Sequence, residues 1–143
     1  MRLPALVVSA AMLAAATAAS ADPIADRKAD MKERAGLLRV LAPIAQGKAD
    51  FDAAVVLDAL EKLDANAKAT DVAVMWAEGT DKGDTKSSPR IWEDMAGFKA
   101  LADKYEADVA AALAANPQDL ATFQNVFGAV AANCGACHQK YRL

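Results

Sequence analysis

Apolar residues recur three and four positions apart along three stretches of the chain. In the last, Leu120, Phe123, Phe127, Val130, Cys134, Cys137 and Tyr141 are separated by 3, 4, 3, 4, 3 and 4. Ile91, Met95, Phe98, Ala102, Tyr105, Val109 and Ala112 keep the same rhythm, and so do Val56, Leu60, Leu63 and Ala67. Such spacing gathers apolar side chains on one helical face, which packs on neighbours at a shallow angle. A fourth stripe, from Ile24 through Arg27, Met31, Arg34, Leu38 and Leu41 to Ala45, is interrupted by two arginines flanking a methionine. Long cationic side chains on an inward face are ordinarily expected to snorkel out to water. Nothing after residue 21 alternates for long as a strand would. The pattern predicts an all-α domain, an antiparallel up-down-up-down four-helix bundle.

Polar residues punctuate the same pattern. Asp22-Pro23, Ser88-Pro89 and Asn116-Pro117 each set a capping side chain before a proline, whose missing N–H costs nothing in a first helical turn. Asp50 predicts a fourth start. The first helix is then expected over roughly residues 23–46, with Pro43 bending or ending it. The links at 47–50 and 114–116 are short and predict antiparallel neighbours. The third link, residues 71–88, is long. It opens on the apolar run Val72 to Trp76 and continues rich in Gly, Asp and Ser, the kind of segment that is usually functional or mobile.

Residues 1–21 follow different rules. One cation, Arg2, precedes an Ala-rich apolar run closing on Ala19-Ser20-Ala21, which predicts a cleaved export signal rather than a membrane anchor. The mature chain is expected to start near Asp22, as a single domain over residues 22–143 without a further membrane span. It then holds 15 Lys and Arg against 19 Asp and Glu, a formal charge of −4. Without a basic patch, nucleic acid is not an expected partner. Export predicts a periplasmic location, where disulfides are permitted.

Both cysteines and the only histidine of the 143 residues fall between positions 134 and 138. C-x-x-C-H is the attachment signal of c-type haem. On a helix, Cys134 and Cys137 share a face one turn apart, so each thiol can add to one haem vinyl group. His138 follows directly and can offer an imidazole nitrogen to the iron. Three other uses compete. A redox disulfide ordinarily needs a βαβ setting, a structural zinc site normally needs four ligands, and a plain disulfide leaves His138 unexplained. The bundle topology adds a second axial candidate. Met31 lies eight residues into the first helix and His138 five residues from the C-terminus, so their levels differ by roughly 5 Å. Met75, Trp76, Trp92 and Met95 are expected at the same end. No nucleophile or general base stands out, so enzymatic activity is not expected.

The chain resembles the class II c-type cytochromes, the cytochrome c′ superfamily, over essentially all of residues 22–143. "CGACHQKYR" at the C-terminus fits that family's CxxCHxx[F/Y]R, "RKADMK" places Arg27 four residues before the distal position, and Ile91-Trp92 opens the third helix. The resemblance implies haem thioethers at Cys134 and Cys137, His138 as proximal ligand and Met31 at the distal position. It places Arg27 near a haem propionate, a carboxylate that suits paired guanidinium donors, with Arg34 behind it. Arg142 is a candidate to steady the helix end, and Trp92 to line the haem pocket. Two functions follow. With Met31 bound, the protein is a low-spin electron carrier serving redox partner proteins, since His/Met ligation raises the potential. "KSSPRIW" is similar to the corresponding loop of such methionine-ligated members. With the distal side vacant, it is a five-coordinate cytochrome c′ binding nitric oxide or carbon monoxide. Family members occur as monomers and as dimers through their first two helices.

Overall fold

Asp22 opens the first helix by accepting hydrogen bonds from the N–H groups of Ile24 and Ala25, both at 3.1 Å. In the computed structural model, which describes residues 22–143, Pro23 takes the first helical position and α1 runs Pro23–Ala45. The expected export signal lies outside the described residues. Pro43 sits in the last turn, and Gly47 closes the helix at φ 67°, donating its N–H to the carbonyl of Ile44.

Two predicted starts move by a few residues, each for a visible reason. α2 (Ala53–Ala69) is capped by Asp52, not Asp50, through the N–H groups of Ala54 and Val55. Phe51 thereby precedes the cap, where an apolar side chain fixes the entry of the chain, and its ring packs on Phe123 at 6.2 Å. At Asn116-Pro117 the pair makes the turn instead of the cap. Asn116 adopts φ 45°, a left-handed conformation that Asn tolerates, and Pro117 is buried. Asp119 caps α6 (Leu120–Tyr141) through the N–H and hydroxyl of Thr122.

The third predicted helix is two helices. Pro89 is the N-cap of α4 (Arg90–Glu93), one residue after the predicted Ser88, whose Oγ accepts from the N–H of Arg90 at 3.3 Å. The chain then breaks at Asp94 (φ −135°, ψ 53°), whose carboxylate caps α5 (Met95–Ala114) through the N–H of Gly97. The same carboxylate accepts from the Tyr141 hydroxyl at 2.7 Å and from Lys140 Nζ at 2.6 Å, so the break is tied to the end of α6. Within the long link, Asp71 caps the single turn α3 (Val72–Met75).

The four long helices α1, α2, α5 and α6 form the four-helix bundle, each packed on its neighbours around the ring. Its core divides in two. A main cluster fills the end formed by the C-terminus of α1 and the N-terminus of α6, with Leu41, Leu60, Leu63, Val109, Phe123 and Val130 fully or almost fully buried. Burial of side chains of this size is worth about 1.5–3 kcal/mol each, which is what holds the helices together. A smaller cluster at the other end joins Trp76, Ile91, Phe98 and Tyr141. Phe98 meets Trp76 and Tyr141 edge-on, with ring centroids 4.8 and 5.2 Å away. Among the described residues the only extended pairing is a bridge between Ser87 and Arg142, flanked by hydrogen bonds from Ser88 to Tyr141 and from Leu143 to Lys86. No described helix is long and apolar enough to cross a membrane.

Candidate functional site

The apolar stripe of α6 is buried as far as Val130 and then comes into the open. Cys134 and Cys137 are half-buried free thiols, and His138 is exposed. Burial pushes both thiols up from their ordinary pKa, opposed by the positive charge of Arg34. The imidazole of His138 is shifted down, first by burial and then by the charge of Arg142. Both effects favour the neutral imidazole, the form whose nitrogen lone pair a metal takes. Cys137 also packs against the smaller core cluster, beside Trp92, Met75 and Met95.

Facing α6, the stripe of α1 departs from expectation at Arg27. This side chain does not snorkel; the residue is only 3% exposed. Its Nη1 donates to the carbonyl of Met75 at 2.7 Å and to Thr80 Oγ1 at 2.9 Å. Its Nη2 donates to the carbonyl of Thr80 at 3.0 Å and to Thr85 Oγ1 at 3.3 Å. The guanidinium also lies 5.7 Å from the ring centroid of Trp76 and 5.9 Å from that of Trp92, within cation–π range. The long link brings four acceptors to the charge, so the arginine has no need to reach water. One donor is left over: Nε is buried without a partner. Trp92, half-buried, donates its indole N–H to the carbonyl of Ala77, and Lys28 forms an ion pair with Asp84 that pins the same link to α1.

Met31, one turn further along α1, is 37% exposed although it belongs to the inward stripe. Next comes a polar group that sequence reasoning missed. Arg34 donates from Nε to Asn66 Oδ1 at 2.7 Å and from Nη2 to Thr70 Oγ1 at 2.6 Å and Asp30 Oδ1 at 3.2 Å. It also lies over the ring of Tyr105 at 4.6 Å. Asp30, Asn66 and Tyr105 are all buried, and burial is the main reason the Tyr105 hydroxyl is pushed up to about 12. The i, i+4 spacing of Asp30 and Arg34 was a visible signal. The convergence of α1, α2 and α5 was not. Arg142 is exposed; its own N–H closes α6 on the carbonyl of His138.

These residues make one locality at one end of the bundle. Arg34 and Tyr105 lie near the cysteines, while Arg27 and Trp92 lie under the long link that Cys137 helps to seat. An open cleft of about 830 Å³ runs between α2, α3 and α5, lined by Trp76, Trp92 and Met95, and does not include the cysteines. A cleft of about 400 Å³ between α1 and α6 has Cys134 on its wall. Among the described residues no set of three or more His, Cys, Asp or Glu side chains converges on a metal position. The donor set nevertheless fits a covalent haem. Two free thiols stand one helical turn apart beside an imidazole. A thioether lies uncovered on the facing helix, and a buried guanidinium N–H lacks an acceptor that a propionate can supply.

Comparison with known proteins points the same way. The family model described as Cytochrome C′ matches residues 22–142. The chain is similar to cytochrome c-556 of Agrobacterium fabrum, 36% identical over 140 residues and covering 95% of this chain and 94% of that one. It resembles the crystal structure of cytochrome c′ from Rubrivivax gelatinosus, with a TM-score of 0.77 and 34% identity over 85% of this chain and 95% of that one. A nitric oxide complex of a mutant cytochrome c prime from Alcaligenes xylosoxidans is also similar, with a TM-score of 0.73 and 29% identity over 84% of this chain and 93% of that one.

Proposed function

The chain belongs to the cytochrome c′ family and is a mono-haem c-type cytochrome with covalently attached haem c, and from that premise we propose that it is an exported, periplasmic electron carrier. Cys134 and Cys137 would hold the cofactor through thioethers. His138 would be its proximal ligand and Met31 its distal ligand. When bound, the haem iron supplies a one-electron couple; the protein supplies its anchorage, its axial ligands and its surroundings. Burial and Arg142 both disfavour the imidazolium of His138, which favours the form that binds iron. Half-buried Cys137, packed against the smaller core cluster, would seat the cofactor on it. Arg27, through its remaining buried N–H, would meet a propionate oxygen, and Trp92 would line the pocket.

The observation that carries this reading is Met31. A methionine on an inward stripe is ordinarily covered by the core, yet this one is 37% exposed, at the end where the α6 stripe also comes uncovered. Core packing does not account for it, and a soft thioether on a helix is a precise support for an axial ligand. Ligation retained in both oxidation states keeps reorganisation small, which suits electron transfer. The second reading is a five-coordinate haem protein for nitric oxide or carbon monoxide. The relatives named cytochrome c′, and the nitric oxide complex among them, favour it.

Replacing Met31 with Ala separates the two. On the electron-carrier reading the unmodified ferric protein is low-spin, and the variant turns high-spin and admits carbon monoxide once reduced. The same change at Met75 leaves the spin state alone. An unmodified protein that is already high-spin and takes carbon monoxide readily establishes the gas-binding reading instead.

A further inference from the structure

We propose that Arg34 is a fixed cation that tunes the haem, raising the midpoint potential, and that Asp30 holds it in place while opposing it. The proposal rests on the reading that haem is attached at Cys134 and Cys137. The geometry is that of a built site. Arg34 is anchored on three sides, by Asn66 of α2 and Thr70 at its C-cap, by Asp30 from its own helix, and by the face of Tyr105 from α5. The arginine side chain is 16% exposed and that of Asp30 only 5%. Water therefore screens this pair poorly, and its charges act over a longer range than surface charges do.

The pair is oriented rather than neutral. Of its two members, Arg34 is the one on the inward stripe of α1, three residues and so about one helical turn beyond Met31, whereas Asp30 lies beside that stripe. Its Nε and Nη2 are engaged, and Nη1 has no partner among the described residues, so the guanidinium is held by its other nitrogens. A permanent positive charge near the iron stabilises the reduced state, which carries one positive charge fewer. Arginine suits the task because it stays protonated even when buried. Asn66 donates onward to Glu33 and Thr70 to the carbonyl of Asn66, which fixes the acceptors themselves. The effect is electrostatic, so the two partners must act with opposite sign.

The test is the midpoint potential of holoprotein carrying Arg34→Gln, Arg34→Lys or Asp30→Asn, read beside the absorption spectrum. Arg34→Gln is expected to shift the ferric-to-ferrous ratio about tenfold toward ferric at a fixed ambient potential, about 59 mV downward for one electron. Arg34→Lys should keep most of the unmodified value, and Asp30→Asn should raise it. An unchanged midpoint in Arg34→Gln overturns the proposal. So does a fall in Arg34→Lys equal to that in Arg34→Gln, or a shift of Asp30→Asn in the same direction as Arg34→Gln. If Arg34→Gln does not fold, Asp30→Asn decides alone: a rise supports the proposal, and no change or a fall overturns it. Failure of the underlying reading looks different, because an unmodified protein without covalent haem has no haem midpoint to measure.

Discussion

Arg27 shows how much one side chain can organise. Four of its N–H groups hold the segment from Met75 to Thr85, and its charge lies between two indole rings. Hydrogen bonds from a charged donor contribute about 1.5–3 kcal/mol each, but they are not additive and a shorter side chain recovers some of them. Replacing Arg27 with Gln is therefore expected to destabilise the fold by about 2–4 kcal/mol, the range of a broken buried network. It should also open the long link. Urea unfolding checks the first effect and limited proteolysis within residues 77–85 the second; an intact link at unchanged stability would refute the clamp. The sequence marked Arg27 as anomalous but not what it binds. Its acceptors lie 48 to 58 positions away in the chain, and no local periodicity encodes such a pairing. The roles proposed for Cys134, Cys137 and His138 rest on the opposite kind of signal, a spacing of three and one along a single helix.

At the scale of elements, the periodic stripes were readable because burial repeats with the helical turn. The long helices lie where the apolar spacing placed them. What the stripes do not carry is the backbone between them. Asp52 and Asp119 displaced the predicted caps at Asp50 and Asn116 because Phe51 packs on Phe123 and because Asn116 adopts a left-handed turn. The break at Asp94 was hidden by a stripe that runs unbroken from Ile91 to Ala112. The carboxylate that makes the break accepts from Lys140, Tyr141 and Gly97, which holds its pKa down at about 2 against an ordinary 3.8. A carboxylate depressed in the folded state stabilises it fully above 3.8, and that contribution fades as the pH falls toward 2. Asp94→Asn should therefore melt below the unmodified protein at neutral pH, with the gap closing across that acidic window. Thermal melts at several pH values test it; a gap that stays constant down to pH 2 would mean the ionised form contributes nothing.

For the whole molecule, the two ends of the bundle are built for different tasks. At one end Leu41, Phe123 and Val130 close an apolar core that needs no other component. At the other, half-buried thiols, an uncovered methionine and a buried guanidinium N–H lie around polar groups drawn from three helices. A cofactor that joins this second end completes a core that side chains alone leave open, and whatever binds the folded state alone stabilises it. The two ends should therefore separate when attachment is prevented. A Cys134→Ala/Cys137→Ala protein is expected to keep its helices but lose about 3 kcal/mol, lowering the melting temperature by roughly 10–15 °C for a domain of this size. Hydrogen exchange should locate the loss. Amides of α3 and the first turns of α1 should exchange faster, while those around Leu41, Val56 and Phe123 keep their protection, because these residues are buried at the other end of the bundle. A uniform loss of protection across both clusters would show instead that the cofactor end nucleates the entire fold. An unchanged melting temperature would show that the haem adds nothing to the core.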